Sequence, residues 1–123
     1  MTLNEYQKKA MSTCMDSCDN FSYMMLNLVG EVGELASKIA KDIRKEHLRI
    51  NENRLSTRLE PPRFYERDKE LMLEAGDVLW QLSGLCEVMG WKLEDIAQMN
   101  LEKLAKRKQA GTIDGNGDGI YNR

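Results

Sequence analysis

The distribution of apolar and polar residues along the chain predicts helices throughout and no strand. Apolar side chains recur at intervals of three and four residues in four segments, which is the pattern of an amphipathic helix. The predicted helices cover about residues 3–17, 23–45, 67–89 and 93–109. We therefore expect an all-α fold, with the four main helices packed as a four-helix bundle.

Local signals mark where these helices begin and end. The polar residues 16–22 predict a connection, and Ser22 at its end can cap the second helix. Gly90 follows the third helix and Gly111 follows the fourth, as glycine often does at a helix C-terminus. These signals support the predicted bounds.

The domain organisation follows from where the helical pattern fails. Over residues 46–66 charged residues and a Pro-Pro pair interrupt it, which predicts a long connection of the kind that often forms a lid or binding element. We expect one domain over residues 1–111 and a glycine-rich tail over residues 112–123.

The second helix has an apolar face and a charged face. Its apolar stripe consists of Val29, Val32, Ala36, Ile39 and Ile43. The opposite side carries Glu31, Glu34, Lys38, Lys41 and Lys45. Taken alone, this charged side predicts a solvated surface with an ion pair between Glu34 and Lys38, four residues apart.

The third helix repeats the acidic spacing in a more apolar setting. Glu74 and Asp77 are three residues apart, as Glu31 and Glu34 are, so each pair shares one helix face. The run 78–82 that follows is apolar almost all round, which predicts a buried helix. Carboxylates there need a partner. The helix carries no basic residue for the whole of that stretch, so a cation shared by the four acids is the better interpretation.

The glycines beside these acids support the same interpretation. Gly30, Gly33 and Gly76 each cost about 1 kcal/mol relative to alanine within a helix. A close approach of two helix backbones around a compact site would explain them.

The ligand types indicate which metal such a site would hold. Carboxylates alone favour Mg²⁺, with Mn²⁺ as the alternative. A zinc site is not expected, because the chain has a single histidine, His47, and its three cysteines lack a paired spacing. We interpret the cysteines as packing residues and Trp80 as a core residue.

Composition and charge narrow the classes of partner. The net charge of −2 argues against binding to a nucleic acid polymer. No apolar run is long enough for a membrane span and no signal peptide is evident, so we expect a cytoplasmic protein without membrane contact.

The paired motifs resemble those of a known family. Gly30-Glu31-Val32-Gly33-Glu34-Leu35 followed by Glu74-Ala75-Gly76-Asp77-Val78-Leu79 is similar to the motifs of the all-α nucleoside triphosphate pyrophosphohydrolases, which include MazG-like enzymes and dCTP pyrophosphatases. The resemblance covers about residues 22–108.

The resemblance implies an activity and a set of site residues. The activity is Mg²⁺-dependent hydrolysis of a nucleoside triphosphate to the monophosphate and pyrophosphate, by a homo-oligomer. The implied metal ligands are Glu31, Glu34, Glu74 and Asp77, with Glu31 or Glu34 as the base that orients the water. The implied phosphate contacts are Asn100, Lys103 and Arg107, which match Asn-x-x-Lys-x-x-x-Arg. Lys38 and Lys41 share the acidic face and are further candidates for binding the triphosphate.

The sequence also allows other functions and two interpretations of the tail. The chain could be a non-enzymatic helical module for oligomerisation or binding, or a pyrophosphohydrolase acting on another nucleotide such as phosphoribosyl-ATP. The stretch Asp114-Gly115-Asn116-Gly117-Asp118-Gly119 imitates the first half of an EF-hand calcium loop, although the glutamate that completes such a loop is missing. A flap that folds over bound phosphates is the other interpretation of this tail.

Overall fold

A computed structural model describes residues 1–111 and confirms the all-α class with four main helices. The helices are α1 (Leu3–Met11), α2 (Phe21–Arg44), α3 (Arg63–Met89) and α4 (Leu93–Ala110). The tail over 112–123, with its calcium-loop and flap interpretations, lies outside the described residues.

The first helix is shorter than predicted. It begins at a capping box in which the Glu5 amide donates to Thr2 Oγ1 and the Thr2 amide donates to Glu5 Oε2, both at 3.1 Å. It ends at Met11, and a 3₁₀ turn over Asp16–Cys18 follows. The Thr13 hydroxyl donates to the carbonyl of Ala10 at the helix end, in competition with a further helical turn.

Two other helix starts also differ from the prediction. Helix α2 begins at Phe21, and Asn20 is its cap in place of Ser22, because Asn20 Oδ1 accepts from the Tyr23 amide at 2.8 Å. Helix α3 begins at Arg63, directly after the Pro-Pro pair. The predicted C-terminal glycines are confirmed, since Gly90 (φ 72°) and Gly111 (φ 73°) both adopt the left-handed conformation.

The expectation of no strand was wrong. Two strands, β1 (Leu48–Asn51) and β2 (Arg54–Thr57), pair antiparallel within the predicted connection, with Leu48 opposite Thr57. The two turn residues have positive φ angles, 52° at Glu52 and 59° at Asn53, which suits a two-residue hairpin turn. Each strand has only four residues, which is too short for a period-two pattern to be recognised.

Helix α1 lies against α3 and α4 and joins them through a buried glutamine. Gln7 Nε2 donates to Glu87 Oε2 and to the Trp91 carbonyl, both at 3.0 Å, and Gln7 Oε1 accepts from the Leu93 amide at 2.7 Å. Trp80, which we expected in the core, is half-buried, and its indole N–H donates to Thr13 Oγ1 at 2.9 Å. These contacts fix α1 across the end of the bundle.

Helices α2 and α3 run antiparallel, and the row where they meet is polar. From one end to the other it pairs Asn27 with Gln81, Lys38 with Glu74, and Asp42 with Arg67. We call this row the α2–α3 seam. The Asp42–Arg67 contact, 3.2 Å between Oδ2 and Nε, is within ion-pairing distance but lacks hydrogen-bond geometry.

The apolar stripe of α2 is largely exposed in the single chain. Val29 is 66% exposed and Val32 is 50% exposed, and Ile43 is exposed as well. The helix is rotated so that its charged side, not its apolar side, packs against α3. Periodicity shows that a helix has two faces, but it does not show which one the neighbouring helix covers.

The expected role of the acidic-motif glycines was also wrong for the single chain. A Cβ built on Gly33 or Gly76 would meet nothing within 4 Å, and one built on Gly30 would meet only Asn27 of the same helix. The close approach occurs at Gly84, where an added Cβ would lie 2.2 Å from Met24 Sδ. Within residues 1–111, no helix is long and apolar enough to cross a membrane.

Candidate metal centre

Three of the four predicted acids come together in the middle of the α2–α3 seam. Glu31 from α2 and the pair Glu74 and Asp77 from α3 each offer a carboxylate oxygen, and these oxygens lie within 4.8 Å of one another. We call these three residues the acidic cluster. The spacing of three residues puts Glu74 and Asp77 on one face of α3, and the antiparallel packing brings Glu31 opposite them.

The cluster carries an unfavourable concentration of negative charge. Partial burial, and then the charges of Asp77 and Glu74, raise the pKa of Glu31 above its ordinary value. A hydrogen bond from Asn27 acts in the opposite direction and lowers this pKa. A divalent cation would relieve the repulsion, and hard carboxylate oxygens are the ligands that Mg²⁺ and Mn²⁺ prefer.

One cation already contacts the cluster, and it comes from α2, not from α3. Lys38 Nζ lies 2.8 Å from Glu74 Oε1. This hydrogen bond is the main reason that the pKa of Lys38 is raised. The Lys38 side chain is 38% exposed and that of Glu74 is 14% exposed, so the pair lies at the mouth of the seam. The predicted need for a partner is met here in part by Lys38, which pairs with Glu74 and not with Glu34.

Glu34 stands apart from the other three acids. It is exposed on α2, and the acidic cluster does not include it. It lies one helical turn beyond Glu31, so it borders the cluster without lining it.

Lys41 lies beside Lys38 on the rim of a small groove. This groove has a volume of about 140 Å³ and is lined by Lys38, Lys41, Asp42, Lys45, Arg67 and Glu70. Its lining is mainly basic, which suits an anionic group close to the acidic cluster.

The three residues predicted on the last helix lie outside the α2–α3 seam. Asn100 is exposed, and Lys103 and Arg107 are half-buried, on α4, which packs on α1 and on the end of α3. Their contact with substrate phosphates stays a prediction.

A larger cavity lies away from the acidic cluster. It measures about 660 Å³ at the corner between α3 and α4 and is lined by Gly90, Trp91, Lys92, Asp95, Ile96 and Met99. Gly90 is 13 helical residues beyond Asp77, which corresponds to roughly 20 Å along the axis. Its lining is mainly apolar and has a single carboxylate, Asp95, so it lacks the group of acids found in the seam.

The sequence interpretation missed the amide layer next to the cluster. Asn27 lies one turn before Glu31 and Gln81 lies one turn after Asp77, so both share the seam. The available signal was a pair of uncharged amides four residues from the acids, on the same helix faces. This signal can be interpreted only when the face of α2 that meets α3 is known.

Comparison with known proteins identifies the family to which both acidic motifs belong. The profile of the MazG nucleotide pyrophosphohydrolase domain matches residues 19–112, which is most of the chain and includes both acidic motifs. The chain belongs to the MazG family. Members of the family are metal-dependent, in keeping with a metal-binding role for the acidic cluster. The family also supports nucleotide pyrophosphohydrolase activity in general.

A curated relative has the same extent as this MazG chain. The Gene 37 protein of Mycobacterium phage L5 is 34% identical over 126 aligned residues, which cover 96% of this chain and 98% of the relative. Its name states no activity. No solved structure gives a significant match.

Proposed function

We propose that this MazG-family chain is an Mg²⁺-dependent nucleoside triphosphate pyrophosphohydrolase that cleaves between the α- and β-phosphates. The products are the nucleoside monophosphate and pyrophosphate. The observation that carries the proposal is the acidic cluster, since Glu31, Glu74 and Asp77 form a set of hard oxygen donors on two rigid helices.

The residues of the cluster would hold the ion while neighbouring cations bind the phosphates. When bound, Mg²⁺ would neutralise the phosphate charge and stabilise the charge that develops on the departing pyrophosphate. Lys38 can turn from Glu74 towards a phosphate oxygen, and Lys41 beside it can hold a second one. We assign the same kind of contact to Asn100, Lys103 and Arg107 on α4.

Two glutamates remain candidates for the base that takes the proton of the attacking water. Glu31 belongs to the cluster, so a metal would compete for its carboxylate. Glu34 borders the cluster and is exposed, so its carboxylate is not committed to the ion. We therefore favour Glu34 as the base and Glu31 as a ligand.

The test is a pyrophosphate-release assay with Mg²⁺ across the common ribo- and deoxynucleoside triphosphates, with phosphoribosyl-ATP included. We expect Glu74→Gln and Asp77→Asn to lower kcat/KM by about 100-fold or more, since a catalytic metal supplies several kcal/mol. Glu34→Gln should lower kcat and leave metal binding in place. The matched control is Glu66→Gln, an exposed glutamate in the first turn of α3, which should keep full activity.

Two outcomes would contradict this function. One is full activity in Glu74→Gln and Asp77→Asn. The other is the absence of pyrophosphate release from every nucleotide, combined with a response to millimolar Mg²⁺ no larger than the response to NaCl of equal ionic strength. The second outcome would favour a non-enzymatic helical module.

We further propose that the protein self-associates and acts in the cytoplasm. Support for self-association comes from the exposed apolar side of α2, which includes Met25, Leu26, Val29 and Val32. Support for a reducing compartment comes from Cys14, Cys18 and Cys86, all of which are free.

A further inference from the structure

The amide layer below the acidic cluster makes a direct hydrogen bond across the seam. Asn27 Nδ2 donates to Gln81 Oε1 at 2.8 Å. Gln81 is only 2% exposed, so its side chain is enclosed by protein. A buried amide group makes a hydrogen bond because leaving it unpaired is costly. This bond therefore fixes the orientation of the Asn27 amide.

The Asn27 amide also reaches the cluster. Its Nδ2 carries two hydrogens, and two acceptors besides Gln81 lie within reach, Tyr23 Oη at 3.2 Å and Glu31 Oε1 at 3.4 Å. With one hydrogen used by Gln81, the other points towards Glu31 and Tyr23. Glu31 carries the negative charge and Tyr23 does not, so the carboxylate is the acceptor that gains more.

The other end of this chain of contacts is locked by packing. Gln81 Nε2 lies 3.5 Å from both the carbonyl oxygen and the Sδ of Met24. Met24 is fully buried and fills the space that Gly84 leaves on α3. Because Met24 and Gln81 are both enclosed by protein, close packing holds the amide layer in place.

We propose that Asn27 and Gln81 are positioning residues that hold the Glu31 carboxylate in the orientation in which it binds the metal. This inference rests on the metal site of the proposed function and adds to it a supporting pair, one residue from each helix. Such hydrogen-bonded partners of metal ligands typically change metal affinity by about 10- to 100-fold when they are removed.

The test measures metal affinity without substrate. Mn²⁺ is titrated into the protein, and the electron paramagnetic resonance signal of free Mn²⁺ gives the dissociation constant. The variants are Asn27→Leu and Gln81→Met, which remove the amides at similar volume, and the double variant. We expect each single variant to weaken Mn²⁺ binding by about 10-fold. The double variant should be little weaker than either, because both residues act through one chain of contacts.

The control is Gln7→Met, the same substitution at another buried glutamine. Gln7 joins α1 to α3 and α4 and makes no contact with the cluster. Its variant should unfold at a lower temperature with an unchanged Mn²⁺ dissociation constant. This separates loss of stability from loss of positioning. If Asn27→Leu does not fold by circular dichroism, Asn27→Ala, which adds no bulk at this half-buried position, takes its place.

The inference is overturned if folded Asn27 and Gln81 variants bind Mn²⁺ as the wild type does, while Glu74→Gln abolishes binding. It is also overturned if the losses in the two single variants multiply in the double variant. A different result, equal Mn²⁺ binding by the wild type and Glu74→Gln, would mean that the acidic cluster is not the metal site, and the proposed function would fail with it.

Discussion

The packing of α2 against α3 can be tested by adding one methyl group at two positions of the same helix. Gly84→Ala would place a Cβ 2.2 Å from Met24 Sδ and 3.3 Å from Met24 Cγ, at a site with no solvent. Gly76→Ala would place its Cβ where nothing lies within 4 Å. Both substitutions gain the same helix propensity, about 1 kcal/mol, so the difference between them isolates the packing cost.

The expected difference in the free energy of unfolding is about 1–3 kcal/mol, the usual cost of overpacking a filled core. For a chain of 123 residues, an unfolding entropy of about 2.1 cal/mol/K per residue converts this to a difference of roughly 4–12 °C in Tm. Gly76→Ala should unfold above the wild type, and Gly84→Ala should unfold well below Gly76→Ala. Gly33→Ala, which is equally open, is the matched variant on α2.

Thermal unfolding followed by circular dichroism, in buffer with a chelator to remove metal, measures this difference. If Gly84→Ala and Gly76→Ala unfold within about 2 °C of each other, the cost would fall below the range for a filled core. Met24 would then not fill the space beside Gly84. A Tm below that of the wild type for Gly76→Ala would show that a further surface covers Gly76 in the native protein.

Three other predictions concern charge and assembly. Lys38→Met removes a competitor for Glu74, so Mg²⁺ binding followed by calorimetry should become about two- to five-fold tighter, as expected for loss of a partly exposed ion pair; unchanged or weaker binding would contradict the pairing. The raised pKa of Glu31, which faces Glu74 and Asp77 on α3 and Glu34 on its own helix, means that the folded chain holds this proton more tightly than the unfolded chain does. In urea titrations without metal, the free energy of unfolding should therefore fall as the pH rises above the ordinary value of 4.5, up to the raised value, and saturating Mg²⁺ should abolish this fall; identical pH profiles with and without Mg²⁺ would refute it. Val29→Asp should shift the protein to the 14.2 kDa single chain in sedimentation equilibrium, whereas a wild type that is itself a single chain would end the proposal of self-association.

The sequence predicts best what is determined locally. The left-handed glycines, Gly90 and Gly111, terminate α3 and α4 as predicted because that conformation suits glycine whatever the tertiary contacts. The three-residue spacing of Glu74 and Asp77 likewise places both acids on one face of α3 without reference to other helices. This local spacing identifies the α3 half of the candidate metal centre, whereas the position of Glu31 opposite it depends on the packing of α2.

Hydrophobic periodicity alone does not predict which face of α2 meets α3. The stripe containing Val29 and Val32 has the period of a buried face, yet both residues are exposed in the single chain. Burial depends on what covers the face, and that surface can belong to another molecule. The amide layer was not predicted for a related reason, because periodicity does not indicate that Asn27 faces α3. The hairpin was missed because Glu52 and Asn53 form its turn without glycine.

The polar seam has a consequence for how the protein is stabilised. Pairs such as Asp42–Arg67 and Lys38–Glu74 fix the register of α2 on α3, but ion pairs of this kind add little net stability once desolvation is counted. Within residues 1–111, few apolar side chains are fully buried, and Met24 is the largest of them and lies in this interface. A metal ion would convert the repulsion in the middle of the seam into attraction, and a second copy would cover the apolar side of α2. Metal binding and assembly would then stabilise the same pair of helices, with the acidic cluster between them and the valines on the outer side of α2.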